Sequence, residues 1–300
     1  MTSPCDPAGP QFVSLAALPH GRRVLVRLQG ADVRRFLQGI LSADVHAARP
    51  GTAVPAAILT VKGKIVSDAI LLAYEDEALA LALPGEVAEE TIGVLDRHII
   101  MDDVALVRDD AAALAMAWSV ETTDPRIARF AASYPAPGTL LVGPAEALSA
   151  ALAGARELTL SEWNLRRIEA AAPAWGLEIG PGMFPPEVGF VAAVSYTKGC
   201  YLGQEPLARI HARGQVNRVM VRVHAETCPE GPVELSAPDR PQAGSAATWA
   251  PDPTGGALGL AIVHRSAASP GTILHAEGLG PVEVRSGPLG DDPGVARSRA

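Results

Sequence analysis

Residues 198–205 of this chain read Lys198-Gly199-Cys200-Tyr201-Leu202-Gly203-Gln204-Glu205. They set a thiol two residues from an ammonium and between two glycines. Gly199 and Gly203 permit sharp backbone turns that other residues resist. Pro206 suits the first turn of a helix, where its missing N–H costs nothing. Glu205 and Arg209 follow four apart with the acid first, the favourable order for a helical pair. The spacing therefore predicts a helix just after the thiol. Cys200 would lie near the positive end of that helix and near Lys198, and both favour a thiolate. A thiolate can attack an electrophile or ligate iron.

Other elements must position this stretch. Arg23–Leu28 alternates and predicts a strand. A helix follows over 31–41, with Val33, Phe36, Leu37, Ile40 and Leu41 at helical spacing and Asp32 as its cap. Val54–Thr60 and Lys64–Ala73 read as a hairpin turning at Lys62-Gly63. Another strand at Ala78–Leu83, an amphipathic helix over Gly85–Ile100 and a strand at Val104–Val107 complete a ferredoxin-like half. Residues 112–172 repeat the mixture more loosely: strands at Leu114–Val120 and Thr139–Val142, helices at Ala145–Ala153 and Leu160–Ala172. The second of these helices opens at Thr159 or Ser161. Residues 173–198 are rich in Gly and Pro, a natural binding loop. After the motif helix come six short strands punctuated by Gly and Pro, which predict an all-β module. The domain boundary is expected near 215, giving domains over 1–215 and 216–290 and a frayed tail over 291–300. Residues 1–20 read as an irregular leader.

Composition narrows the function. The 300 residues are 48% hydrophobic and 19% charged, so the chain is globular. A net charge of −8 argues against a general nucleic-acid binder. The longest apolar stretch is broken by Glu75, Asp76 and Glu77, so no membrane span is expected. The N-terminus lacks the pattern of a signal peptide. Three widely spaced cysteines, Cys5, Cys200 and Cys228, fit a reducing cytoplasm rather than a disulfide framework. They also lack a C-x-x-C pair, and an all-cysteine cluster site takes four thiolates. One chain therefore cannot hold an iron–sulfur cluster by cysteines alone, and no resident metal is expected.

The run KGCYLGQE, with Arg209, Gly214 and Arg218 beyond it, resembles the YgfZ family of folate-binding proteins. These are relatives of the glycine-cleavage aminomethyltransferase, linked to iron–sulfur cluster assembly and repair. The resemblance implies an α+β fold: a folate-binding aminomethyltransferase-like core of two ferredoxin-like portions plus a C-terminal β-barrel. It implies tetrahydrofolate, or a one-carbon derivative, as cofactor. It implies iron–sulfur client or assembly proteins as partners, including enzymes that modify tRNA. Cys200 would be the reactive group and Lys198 its assistant.

The remaining candidates follow from that resemblance. A carboxylate can accept from both the amino group and the ring N–H of a pterin, and Glu178 is placed to read that edge. Glu187, with Pro186, would shape the loop. Gln204, Glu205, Arg209 and Arg218 join the cofactor-binding set. Arg209, Arg213, Arg218 and Arg222 form a basic concentration able to hold folate carboxylates, RNA phosphates being the competing partner. Residues 63–68 (GKIVSD) match a segment that ends in two adjacent acids in the aminomethyltransferases. Asp68 remains as a catalytic acid and Ser67 stands in the other place, a departure that weakens aminomethyl transfer. Whether the chain is an enzyme is left open by the residues. A folate-dependent one-carbon transferase or demethylase and a thiol redox or RNA-binding module are the rival readings.

Overall fold

The computed structural model describes residues 9–74, 78–213 and 216–289. Its elements run β1 (Gln11–Ser14), β2 (Arg23–Gln29), α1 (Val33–Ile40), β3 (Thr52–Leu59), β4 (Ile65–Ala73), β5 (Leu79–Pro84), α2 (Ala88–Asp96) and β6 (Ala105–Asp109). Then follow β7 (Ala112–Trp118), β8 (Ala128–Ala132), β9 (Gly138–Pro144), α3 (Ala145–Leu152), β10 (Arg156–Glu157), α4 (Leu160–Ala170) and α5 (Gln204–Arg213). The last six strands are β11 (Arg218–Ala225), β12 (Val233–Ala237), β13 (Arg240–Pro251), β14 (Ala257–His264), β15 (Ile273–Ala276) and β16 (Gly280–Val284).

Among the described residues β1–β10 form one sheet, in the order β10-β1-β7-β9-β8-β3-β4-β5-β2-β6. Its two halves meet at a short parallel pairing of β3 with β8, Thr52 opposite Ala131 and Ala53 opposite Ala132. Helices α1 and α2 cover one face of the first half, packing Leu37 and Leu95 over Val26 and Leu71. Helix α3 covers the second half through Leu148 and Leu152. The opposite, central face is covered by α4, by the segment 173–201 and by residues of the barrel. Strands β11–β16 close into that barrel, in the order β11-β14-β13-β12-β15-β16. The fold is α+β, as expected.

Strand β4 shows how sequence pattern places a functional group. Both faces are covered, so it reads as a near-continuous apolar run. Ala69 and Leu71 point to the helices, and Ile70 and Leu72 to the central core. Asp68 shares the parity of Ile70 and Leu72 and faces the centre.

Several expectations change. Residues 11–14, read as leader, are a strand paired with β7 and β10. Strands β8 and β10 went unread because Ala-Arg-rich or two-residue segments carry little β signal. Asp32 makes no capping bond to α1; its carboxylate accepts from the Asp103 N–H instead. Thr159 rather than Ser161 caps α4, in a reciprocal box with Glu162. The expected boundary near 215 and the tail 291–300 lie outside the described residues, as does Cys5. No described helix is long and apolar enough to cross a membrane.

Candidate functional site

The segment carrying the thiol is clamped to the C-terminal end of α1. Ser195 N–H donates to the Ser42 carbonyl at 2.8 Å, and Leu202 N–H to the Gly39 carbonyl at 2.9 Å. The Ser42 hydroxyl donates to the Ala193 carbonyl and accepts from Ala57 N–H. Between these ties Lys198 is buried, its Nζ 2.7 Å from the Gln38 carbonyl, 2.6 Å from Leu41 and 2.7 Å from Ala43. Three N–H donors meet three acceptors at a helix end, where carbonyls are left over and the dipole favours a cation. The Tyr201 ring lies 4.6 Å from the same ammonium. Burial pushes Lys198 down to about 8, with Asp44 pulling the other way, so it stays charged at neutral pH. These bonds engage its protons with carbonyls and tie the loop to the end of α1.

At Gly203, φ is +78°, and a Cβ there would lie 2.5 Å from the Thr60 carbonyl. Only glycine lets the start of α5 approach the β3–β4 hairpin this closely. Cys200 is thus delivered, exposed, into an open depression of about 490 Å³ beside the first turn of α5. Ile40, Val61, His98, Gln204 and Glu205 share the depression with it. Nothing in the sequence singles out His98, which shares this lining only because distant segments come together in the fold.

Of the other candidates, Gln204 and Glu205 share the Cys200 depression, and Glu187, Glu178 and Asp68 lie elsewhere. Glu205 pairs outward with Arg209 at 2.7 Å. Glu187 accepts from Phe184 N–H at 2.8 Å and lies 3.5 Å from Arg218, joining the loop to the first barrel strand. Glu178 is buried, and both oxygens are taken. Oε2 accepts from Arg167 at 2.7 Å and from Ala174 N–H at 3.1 Å, and Oε1 from the Thr248 hydroxyl. It ties α4 to β13.

Asp68 differs. It is fully buried and ion-paired through Oδ2 to Arg23. The Tyr134 hydroxyl lies 3.1 Å from that same oxygen and 2.8 Å from the Pro173 carbonyl. Burial, reinforced by the Asp68 charge, raises the Tyr134 pKa, so the phenol keeps its proton. Asp68 Oδ1 and Arg23 Nη1 have no partner. A buried acceptor and a buried donor therefore stand together unused, which native structures seldom tolerate. The adjacent Ser67 hydroxyl is turned to the Asp68 carbonyl at 2.8 Å. Arg23 was overlooked, although its parity with Leu25 in an apolar strand marks it as inward-facing.

No family model matches the chain. It is 30% identical over 221 residues to the "tRNA-modifying protein YgfZ" of Sodalis glossinidius, covering 65% of this chain and 67% of that one. The chain belongs to the YgfZ family. A second YgfZ, from Yersinia enterocolitica, is 29% identical over 223 residues, with coverage of 65% and 67%. The human "Iron-sulfur cluster assembly factor IBA57, mitochondrial" is 25% identical over 244 residues, covering 72% of this chain and 68% of that protein. The glycine cleavage system aminomethyltransferase T of Bartonella henselae superposes with a TM-score of 0.80 over 95% of this YgfZ-family chain and 87% of that one, at 16% identity. That likeness establishes the fold.

Proposed function

We propose that this YgfZ-family protein binds tetrahydrofolate and supports iron–sulfur cluster assembly or repair in client enzymes, tRNA-modifying ones among them, with Cys200 as its reactive thiol. The observation that carries this reading is the anchoring of residues 195–203. Three hydrogen bonds from one buried lysine and a glycine-only approach at Gly203 serve to hold an exposed thiol in an open depression. A partner protein can reach such a thiol directly. The names of the YgfZ and IBA57 relatives supply the direction. The test is genetic. In cells lacking their own YgfZ, this chain is expected to restore the activity of iron–sulfur enzymes, and failure to do so while it is expressed and folded would refute the reading.

Asp68 and Arg23 are the residues whose unused buried atoms fit a folate. The Arg23 Nη1–H would donate to a ring carbonyl and Asp68 Oδ1 would accept from the neighbouring ring N–H. Bound, tetrahydrofolate carries one-carbon units on its ring nitrogens. Both protein atoms are shut off from solvent, so binding must open a path to them. Titration calorimetry with tetrahydrofolate is expected to show saturable binding, weakened about tenfold or more by Asp68→Asn, in line with loss of a charge-assisted bond worth about 1.5–3 kcal/mol. Equal affinity of the variant would remove Asp68 from the folate site.

A folate-dependent one-carbon transferase is the second reading, favoured by the fold it shares with aminomethyltransferase T. Against it stand Ser67 in place of an acid and the engagement of Asp68 with Arg23.

A further inference from the structure

A second cavity, of about 280 Å³, lies between α4 and the barrel and shares no lining residue with the Cys200 depression. Trp163, Asn164 and Arg167 line one wall of it at i, i+1 and i+4, on one face of α4. Leu177, in the turn at 176–178, Ala247 of β13 and Glu230 also line it. Trp163 and Arg167 are only 3% and 2% exposed, so packing fixes that wall.

Its polar groups are arranged for a particular partner. Arg167 gives Nη1 to Thr248 and Nη2 to Glu178, whereas its buried Nε–H has no acceptor. An unpaired buried N–H is costly, and a ligand oxygen would relieve that cost. Asn164 donates Nδ2 to the Trp249 carbonyl, leaving its side-chain oxygen to accept. A donor and an acceptor thus stand three residues apart on the helix, next to the almost wholly buried Trp163. Glu178 already offsets the charge of Arg167, and Glu230 adds another negative charge. The cavity therefore suits a neutral ligand better than an anion.

We propose that this cavity binds a small, neutral, planar cyclic amide of the nucleobase type. The ring carbonyl accepts from Arg167 Nε–H, which is shut off from solvent in the unbound protein and is uncovered on binding, the neighbouring ring N–H donates to the Asn164 oxygen, and the ring lies along the α4 wall at Trp163. One or two fused rings are the size such a volume takes.

Hypoxanthine is the probe, and purine, the same ring system without the carbonyl, is the comparator. Calorimetry on the full chain is expected to show hypoxanthine binding at about millimolar or tighter, with purine at least about tenfold weaker. Ala247→Leu narrows the cavity from the barrel side and leaves the hydrogen bonds of Arg167 and Asn164 in place. It is expected to abolish hypoxanthine binding with the melting temperature unchanged. Absence of hypoxanthine binding, equal binding of purine, or unaltered binding by Ala247→Leu would each overturn the proposal. Displacement of hypoxanthine by tetrahydrofolate would overturn it as well, by making this the folate site. Restoration of iron–sulfur enzymes is independent of all four outcomes.

Discussion

Cys200→Ser is expected to fold like the parent and fail in the cell. The side chain is exposed, and sulfur for oxygen changes little volume, so stability should stay within about 0.5 kcal/mol. What disappears is the group able to attack an electrophile or ligate iron. In cells lacking their own YgfZ, the variant should be soluble, should bind tetrahydrofolate as the parent does, and should leave iron–sulfur enzyme activities unrestored. Cys228 is the internal control. It is also exposed, but partial burial pushes its thiol up. Alkylation near neutral pH should therefore label Cys200 ahead of Cys228, with Cys228 catching up as pH rises, and Cys228→Ser should complement fully. Full complementation by Cys200→Ser would end the reactive-thiol reading.

Lys198→Met is expected to do the opposite, removing stability first and function through it. The substitution keeps the length of the side chain and deletes the ammonium, leaving the carbonyls of Gln38, Leu41 and Ala43 without their shared donor. Each stranded buried carbonyl costs about 1–3 kcal/mol, so the three together should cost about 3 kcal/mol or more. Urea unfolding should show a lower midpoint with the slope retained. Hydrogen exchange should rise at the Ser195 and Leu202 amides, which are tied to the same helix end. A direct chemical role for Lys198 makes a different forecast: lost complementation with an unchanged midpoint and unchanged exchange. That outcome would restore the lysine to the chemistry.

Most of the strand and helix plan was legible because its signals are local. Apolar alternation in β2, the hairpin turn at Gly63 and the helical spacing in α1 depend on neighbours within a few residues. The signals that failed were those whose meaning is long-range. Strand β1 becomes a strand through pairing with β7, about a hundred residues away. Asp32 satisfies the Asp103 amide across 71 residues and not the backbone amides of its own helix. Glu178 sits in a loop whose composition gives no hint that Arg167 and Thr248 will surround it.

The KGCYLGQE run by itself pointed to the family and to the helix that begins beside it, because those follow from residue types over a dozen positions. Only the tertiary structure decided what each charge does. Lys198, Glu178 and Asp68 are all ionisable residues near glycine-rich or apolar segments, indistinguishable as letters. Their roles diverge through partners brought in from elsewhere. Three carbonyls at the end of α1 take up the lysine, an arginine and a threonine hold Glu178, and the pairing with Arg23 leaves Asp68 with an oxygen to spare. Burial makes every hydrogen bond of a charged group consequential, and burial is a property of the folded chain, not of the residue.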